Sequence, residues 1–443
     1  MITKYINSQT SSSPLAIFRI LFGLQMIISL SRFWLKGWIK STYVDPTFHF
    51  KYYGFEFIEC PGLFIYALFF ICIISALFIS LGFKYRISAI IFFLSFTYIE
   101  LIDKATYLNH YYFISIVSFI MIFLPANSRL SVDSKLKKCV TSTIPRWNID
   151  IIKLMLLIVY FYAGIGKINS DWLIDSKPLA IWLPAKYDLP LIGSFLTEYW
   201  VAKLMSWCGM VFDVFIGFFL FAKKTKHYAY FFVVVFHLMT AFLFPSIGMF
   251  PFIMITSTTI YLTPKLHDSV VNYFESCLNF SKKRLSKKES GNLTKIILVS
   301  VIILQLLIPL RYKLYDGEVF WNEEGYRFSW RVMLVEKVGL TNFTITGDNN
   351  KRVMVNNEDY LTPFQEKQMS FQPDMILEFA HFLGKHYESM GFNNPKVTVD
   401  CFVSFNGRLS TRLIRPQTNL LDFKDSFSQK SWVIPFSDEI SRL

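Results

Sequence analysis

The sequence predicts a polytopic α-helical membrane protein with about nine spans, followed by a C-terminal α+β domain rich in β-hairpins. The chain is 53% hydrophobic and only 17% charged, whereas soluble domains are roughly one quarter charged. Several apolar runs reach the length of about 20 residues that a helix needs to cross a bilayer core. After residue 311 the apolar runs shorten and strand-like alternation begins. We therefore expect a transmembrane domain at residues 1–310 and a soluble domain at residues 311–443.

Each expected span is an apolar run bounded by polar or charged residues. The first run is too long for the apolar segment of a signal peptide and has no obvious small-residue cleavage site, so we expect it to be retained. The third and fourth spans are short. The expected spans lie near 14–31, 62–82, 86–102, 111–125, 149–165, 204–222, 228–244, 248–263 and 294–310.

Every second loop between these spans is rich in lysine and arginine. The basic segments are 84–86, 129–146, 223–226 and 282–288. Cytoplasmic loops carry such an excess, so these four segments are expected to face the cytoplasm. The same bias accounts for the net charge of +13 without a nucleic-acid partner. An odd number of spans then places the N-terminus in the cytoplasm and the C-terminal domain outside it.

Two membrane-facing segments have a distinctive composition. The first extracytoplasmic loop, 31–61, is dense in aromatic residues. It is typical of an interfacial aromatic belt, and a platform where a lipid-soluble ring compound enters from the bilayer is the alternative. In segment 264–290, Leu266, Val270, Phe274 and Leu278 recur at helical spacing before a basic tail. This pattern predicts an amphipathic helix lying in the plane of the inner leaflet.

The C-terminal domain carries two hairpin signals. Asn406-Gly407 follows an alternating run that begins at Val397, and residues 411–414 are suited to the return strand. A second hairpin is expected across 347–350, joining 343–346 to 353–355. Between the hairpins, residues 363–390 are expected to be helical, with a break or a new start at Pro373.

Cysteine spacing gives no sign of a metal site. The chain has six cysteines and seven histidines, with no CxxC pair and no metal-ligand spacing between the two residue types. Cys401 lies in line with the valines of an expected strand. A core thiol is therefore favoured at Cys401 over a bridge to Cys60.

The stretch from Tyr160 to Leu173 carries the main candidate for chemistry. An apolar run ends in two glycines, and Lys167 follows directly, at the expected outer end of a span. Desolvation favours the neutral form of an amine, and a neutral amine can act as a general base. The alternative is a lysine that extends to the membrane surface beside Trp172 and does no chemistry.

Two histidines are further candidates. His237 lies inside the seventh expected span, where an ionisable side chain is a functional hypothesis by default, and His110 begins the fourth. The chain lacks the Walker loop, the GxSxG elbow, the HExxH pair and the Rossmann fingerprint of soluble enzymes.

Taken together and in order, the motifs resemble those of the vitamin K-dependent gamma-carboxylase family. The matching pieces run through nearly the whole chain: Pro14-Leu-Ala-Ile-Phe-Arg19, Tyr43-Val-Asp-Pro46, Tyr53-Gly54-Phe55, Asn109-His110-Tyr111-Tyr112, Ala163-Gly-Ile-Gly-Lys167, Asp171-Trp172, Phe236-His237, Ile247-Gly-Met-Phe250, Gly325-Tyr-Arg-Phe-Ser-Trp330, Gln372-Pro-Asp-Met375, Val403-Ser-Phe-Asn406 and Ser431-Trp432.

The resemblance implies a coupled reaction. Reduced vitamin K is deprotonated by a lysine amine and reacts with O2. The oxygenated form takes a γ-proton from a protein glutamate, which adds CO2 to give γ-carboxyglutamate, and the quinone leaves as its epoxide. The implied cofactor is reduced vitamin K or a menaquinol, and no metal is implied. The partners are a glutamate-containing peptide or protein and the lipid bilayer; the native quinone, the peptide sequence and the oligomeric state are not predicted.

The resemblance also implies roles for individual residues. Lys167 matches the base, and His110 with its neighbour Asn109 matches a functional pair. The glutamate-binding segment is matched by Tyr326, Phe328, Ser329 and Trp330. In the seventh span, His237 and Met239 are the candidates for contact with the cofactor.

Some features depart from the animal members of the family. Gly166 precedes Lys167 where the animal enzymes have a second lysine, and the C-terminal region is shorter. Cys60 is a candidate for one partner of the family's luminal disulfide, with no clear second. These departures bear on propeptide recognition more than on the chemistry.

Two other functions are compatible with the sequence. One is a quinol epoxidase that acts without a peptide, and epoxide formation in the absence of a glutamyl acceptor would identify it. The other is a transporter or scaffold with the same membrane fold. Transporters usually show inverted repeats and broken helices, and the sequence shows neither.

Overall fold

A bundle of long helices forms the body of the protein in a computed structural model, which describes residues 5, 8–281, 283–286, 291–348, 351–438 and 440. The long helices are α1 (Ser13–Leu35), α2 (Ile65–Leu81), α3 (Tyr85–Leu101), α4 (Asn109–Phe123), α5 (Trp147–Ile165), α6 (Tyr199–Phe221), α7 (Lys226–Leu243), α8 (Phe250–Thr258), α9 (Pro264–Cys277) and α10 (Asn292–Leu307). Short helices lie in the connections at Val132–Leu136, Ser170–Leu173, Leu179–Trp182, Gly193–Leu196 and Val319–Asn322.

Nine helices coincide with the nine expected spans. Within the described residues, six helical segments are long and apolar enough to cross a membrane, and they contain α1, α2, α5, α6, α7 and α10. The other three, α3, α4 and α8, have 17, 15 and 9 residues. The chain is an integral membrane protein, and the predicted fold class is confirmed.

A buried arginine binds the free carbonyl groups at the C-terminal end of one spanning helix. α2 stops at Gly82, whose φ of 64° is left-handed and suits glycine. Arg19 of α1 is fully buried and donates to the carbonyls of Ile79 and Ser80 at 2.9 and 2.7 Å. A cation at a helix C-terminus satisfies carbonyls that have no partner within the helix and interacts favourably with the helix dipole.

At this end of the bundle a small sheet gathers three distant segments. Strand β2 (Val140–Pro145) pairs antiparallel with β1 (Gln9–Ser11) and parallel with β3 (Arg284–Ser286). Strands β2 and β3 come from two of the basic segments, so the structure places both on the same side as the N-terminal strand. Lys282 and residues 287–288 of the basic tail lie outside the described residues.

Helix α9 lies at the same end and has the predicted amphipathic pattern. Leu266, Val270 and Phe274 are exposed on one face. The other face buries Val271 and Glu275, and Glu275 accepts hydrogen bonds from the Arg129 guanidinium at 2.6 and 3.1 Å. An exposed apolar face opposite an anchored polar one is the arrangement of a helix lying in the membrane surface.

At the other end, here called the domain side, the C-terminal domain packs a sheet against two helices. The sheet has the order β5-β4-β6-β7, and all its pairings are antiparallel. Its inner face and the facing helix side share one apolar core, in which Phe343, Phe379 and Val399 are buried. The strands and helices are β4 (Lys337–Thr346), β5 (Arg352–Met354), β6 (Lys396–Phe405), β7 (Thr411–Arg412), α11 (Pro363–Met369) and α12 (Pro373–Ser389).

The hairpin expectations for this domain agree with the pairing. Asn406 and Gly407 have φ of 48° and 74°, the left-handed region that a tight two-residue turn needs, although the return strand β7 is shorter than expected. The second pair joins Thr344 to Met354 and Thr346 to Arg352, while turn residues 349 and 350 lie outside the described residues. A new helix does start at Pro373. Cys401 is a buried free thiol, as expected, and Cys60 is free as well.

Ion pairs dock this domain on the membrane body. Lys104, in the connection after α3, is buried, and its Nζ lies 3.0 Å from Asp374 and 2.9 Å from Glu378 of α12. Arg327 also contacts Asp374, at 2.7 Å. Burial alone raises the pKa of the Asp374 carboxyl, but the charges of Arg327 and Lys104 outweigh it and hold the pKa well below its ordinary value.

Lys104→Met is therefore expected to weaken the docking strongly. It leaves Glu378, whose side chain is only 22% exposed, without its cation, and breaking a largely buried pair in this way costs up to about 3–5 kcal/mol. Thermal unfolding of the detergent-solubilised protein measures the effect. Lys40→Met is the control, because Lys40 pairs with Asp45 through side chains that are 67% and 44% exposed. Such a pair contributes about 0–1 kcal/mol, so equal losses of thermal stability in both variants would contradict the assignment.

Candidate functional site

Lys167 is buried at the domain side of the bundle. It follows α5 directly, its side chain is 7% exposed, and its Nζ lies 2.7 Å from Oδ2 of Asp213 in α6. The amine also donates to the Ala163 carbonyl at 3.1 Å, and it lies 5.2 Å from the centre of the Trp172 ring. The lysine therefore points into the protein and does not extend to the membrane surface.

Gly164, three residues before Lys167, explains how Asp213 comes so close. A Cβ on Gly164 would lie 2.5 Å from the backbone nitrogen of Val214 and 2.9 Å from the carbonyl carbon of Asp213. Any side chain at Gly164 would push α6 away from α5. The glycine thus allows the two backbones to approach until the carboxylate reaches the lysine amine.

An apolar cavity of about 290 Å³ opens beside this pair, close to the lower end of the roughly 300–1,000 Å³ range of small-molecule sites. Its polar groups are few: Lys167, Asp213, Tyr160, Thr240 and His237. The rest of the lining is mainly aliphatic, aromatic and sulfur-containing, including Trp172, Met205, Cys208, Phe236, Met239, Phe244, Phe250, Val332 and Met333. A mostly apolar pocket with a few convergent polar groups is the usual form of a ligand site.

His237 and Met239 both line this cavity, and their contact with the cofactor stays a prediction. The Nε2 atom of His237 is 2.8 Å from the Tyr160 hydroxyl. Its Nδ1 atom is buried and has no hydrogen-bond partner within the described part of the chain. Buried polar atoms are normally hydrogen-bonded, so this nitrogen can bind a polar group of a ligand.

Asn109 and His110 do not line the cavity. The His110 ring packs against Phe250 at a centroid distance of 6.0 Å, and Phe250 also packs against His237 at 5.7 Å. One aromatic ring thus contacts both histidines. Asn109 accepts from the Tyr107 hydroxyl at 3.0 Å and donates to the carbonyl of Arg331 at 2.8 Å.

The four predicted glutamate-binding residues occupy different environments. Trp330 is fully buried and stacks on Tyr112 with centroids 4.9 Å apart. Phe328 packs against Tyr107 and Tyr112 at about 5 Å. The Ser329 hydroxyl donates to the Tyr326 carbonyl, and Tyr326 alone of the four lines a polar cavity on the domain side. Their role in binding glutamate stays a prediction.

This polar cavity also has a volume of about 290 Å³. Its charged lining residues are Lys104, Lys337, Lys367, Arg327, Glu323 and Glu336. The cations outnumber the carboxylates in the lining by four to two. Segment 326–337 separates the two cavities, because Tyr326 and Lys337 face the polar one while Val332 and Met333 face the apolar one.

Sequence reasoning missed Asp213. The residue is a lone carboxylate in the expected span 204–222, which is itself a signal of function. A lysine at the end of one span and an aspartate within the next are natural candidates for pairing.

Comparison with protein families covers almost the whole chain. Residues 7–265 match the HTTM domain, and residues 290–439 match the lumenal domain of vitamin K-dependent gamma-carboxylase. No solved structure matches the chain. The first match alone spans more than half of the sequence, and the two matched regions follow one another in the order that the motif resemblance predicts.

Proposed function

The chain belongs to the vitamin K-dependent gamma-carboxylase family, and from this premise we propose that it converts protein glutamate to γ-carboxyglutamate with a reduced naphthoquinone, O2 and CO2. One observation carries the proposal: a lysine amine buried against a carboxylate at the edge of an apolar cavity. We also propose that residues 311–443 form the extracytoplasmic domain that presents the glutamate, and that the N-terminus is cytoplasmic.

The lining of the apolar cavity fits a naphthoquinol. Phe236, Phe244 and Phe250 supply aromatic faces for a flat ring system. Lys167 and the Nδ1 atom of His237 are polar groups that can bind its oxygens. When bound, the quinol supplies the reaction with O2 that yields a base strong enough to remove the γ-proton, and it leaves as the epoxide.

Lys167 acts in this scheme as the general base for a quinol hydroxyl. The O–H bond breaks, and an N–H bond forms on the amine. Asp213 can then accept this proton from the amine, because its carboxylate oxygen lies 2.7 Å from Nζ. In a site with little water, passing the proton to Asp213 replaces an ion pair with two neutral groups, which avoids the desolvation cost of two buried charges.

The polar cavity is suited to the substrate side of the reaction. Lys104, Arg327 and Lys337 of its wall are already paired with Asp374, Glu378 and Glu323. Lys367 is an exposed cation of the same lining, and a cationic side chain of this kind binds carboxylates. Segment 326–337 borders this cavity and the apolar one. We propose that a peptide glutamate approaches along this segment, while the apolar cavity keeps the γ-carbanion away from the protons of bulk water.

Reconstitution tests the proposed function directly. Purified protein in lipid nanodiscs receives reduced menadione or a menaquinol, O2, labelled bicarbonate and a glutamyl peptide. We expect label on the glutamate together with quinone epoxide. Epoxide without labelled glutamate, formed equally well without the peptide, would identify a quinol epoxidase instead. Neither product with any quinol would contradict the proposal and favour a transporter or scaffold.

Gly209→Leu is expected to impair quinol use selectively. A Cβ on Gly209 would meet only the Trp172 ring, at 3.8 Å, so a larger side chain enters the apolar cavity. Overfilling a packed space costs about 1–3 kcal/mol, and about 1.4 kcal/mol corresponds to a tenfold change in an equilibrium constant. The KM for reduced menadione should rise about tenfold. Val211→Leu, two residues along the same helix and 45% exposed, is the control. Equal KM values in both variants would place the quinol elsewhere.

A further inference from the structure

A hydrogen-bonded clamp joins the C-terminal domain to the segment that follows Lys167. The two terminal nitrogens of Arg408 lie 2.7 Å from the two carboxylate oxygens of Asp171, and Asn406 donates to the same carboxylate at 2.7 Å. Burial alone raises the pKa of Asp171, but the hydrogen bonds from Arg408 and Asn406 outweigh it and hold the pKa below its ordinary value. Such bidentate pairing fixes geometry as well as charge.

The clamp reaches Lys167 through Trp172. Asp171 and Trp172 share the short helix Ser170–Leu173, so fixing the carboxylate fixes the position of the neighbouring ring. The indole N–H of Trp172 donates to the Ser206 carbonyl of α6 at 2.8 Å. The ring then lies 5.2 Å from the Lys167 amine and forms part of the wall of the apolar cavity.

In the other direction the clamp reaches the polar cavity. Asn406 exchanges two hydrogen bonds of 2.9 Å with the backbone of Glu336, one through its own backbone N–H and one through its side-chain oxygen. Glu336 lines the polar cavity, and its carboxylate accepts from the Trp182 indole at 2.5 Å. One asparagine therefore contacts the wall of the polar cavity and the carboxylate that fixes Trp172.

We infer that Arg408 and Asn406 are positioning residues for Lys167, which set the geometry of the lysine through Asp171 and Trp172 and tie it to the wall of the polar cavity. The inference rests on the proposed function. The domain is also docked by Lys104 with Asp374 and Glu378, so the clamp is one of at least two sets of contacts that hold the domain in place.

A double-mutant cycle tests this inference. Arg408→Gln and Asp171→Asn are each expected to lower kcat for epoxide formation about tenfold to a hundredfold, the range that misplacement of a catalytic group by about 1 Å produces. The KM for reduced menadione should stay close to that of the wild type. Both residues act through one clamp. The kcat of the double variant should therefore be no lower than the kcat of either single variant. Arg408→Lys, which keeps the charge but not the two-pronged contact, should retain intermediate activity.

Arg412→Gln is the matched control. Arg412 lies on the same hairpin and pairs at 2.5 Å with Asp400, a side chain that is 62% exposed. We expect wild-type kcat for this variant. A wild-type kcat in Arg408→Gln, or losses that multiply in the double variant, would overturn the inference.

A second readout does not depend on turnover. The rate at which an amine-reactive naphthoquinone labels Lys167 should change in Arg408→Gln and stay unchanged in Arg412→Gln. Equal labelling rates in wild type and Arg408→Gln would also overturn the inference. If the wild type forms no epoxide at all, the proposed function fails. If the wild type is active and Arg408→Gln has the same kcat and labelling rate, only the positioning role fails.

Discussion

Lys167→Ala is expected to lower epoxide formation and glutamate carboxylation together, by about 10²–10⁴-fold, the usual contribution of a positioned general base. The alanine leaves Asp213 in the cavity but no amine that can take the quinol proton. Initial rates in nanodiscs with saturating quinol and peptide measure the loss. Both products should fall by the same factor, because deprotonation of the quinol precedes both.

The matched control for this variant lies on the same helix. Lys153 is at the opposite end of α5, where its amine is 3.7 Å from Asp150, and Lys153→Ala should retain wild-type rates. Full activity in Lys167→Ala would show that the lysine is not the base. A loss of carboxylation with intact epoxidation would move its role to the glutamate half of the reaction.

Asp213→Asn is expected to have the second largest effect, a loss on the order of 10²-fold in the rate of epoxide formation. The amide can still accept a hydrogen bond from the Lys167 amine, so the lysine keeps a partner. It cannot take up the proton, and the amine must then release that proton by a slower route. Asp213→Glu restores a carboxylate and should recover part of the rate.

Asp150→Asn is the control, because it also removes a carboxylate from a spanning helix but at a position far from the cavity. Asp150 lies in the first turn of α5, at the end far from the cavity, and pairs with Arg146 at 3.1 Å. This variant should turn over like the wild type. Equal activities in Asp213→Asn and the wild type would show that the 2.7 Å contact with Lys167 serves packing rather than proton transfer.

Local patterns predicted most of the fold. A run of apolar residues is sufficient to locate a span, since each backbone group is satisfied within its own helix. The Asn406-Gly407 turn and the break at Pro373 are also predictable from the local sequence, because both depend on backbone conformations that few residues adopt. These features need only neighbours in sequence.

The site was only partly predictable, because its contacts join residues that are distant in sequence. Lys167 and Asp213 are 46 positions apart, and Asp171 and Arg408 are 237 apart. No periodicity encodes such pairings. The family resemblance identified Lys167 and His237, which do line one cavity, and Asn109 and His110, which lie outside it. It did not identify Asp213. The sheet of β1, β2 and β3 was not predicted either, because its short strands pair with segments that are distant in sequence.

The most direct test of the account is affinity labelling of the intact protein with a naphthoquinone that carries an alkylating group, followed by peptide mapping. We expect modification of Lys167, and we expect an excess of unreactive naphthoquinone to prevent this modification. Lys203 of α6, which is exposed, should react without such protection. An unmodified Lys167, or a Lys167 that reacts as freely as Lys203 in the presence of the competitor, would contradict the claim that a quinol binds within reach of this amine.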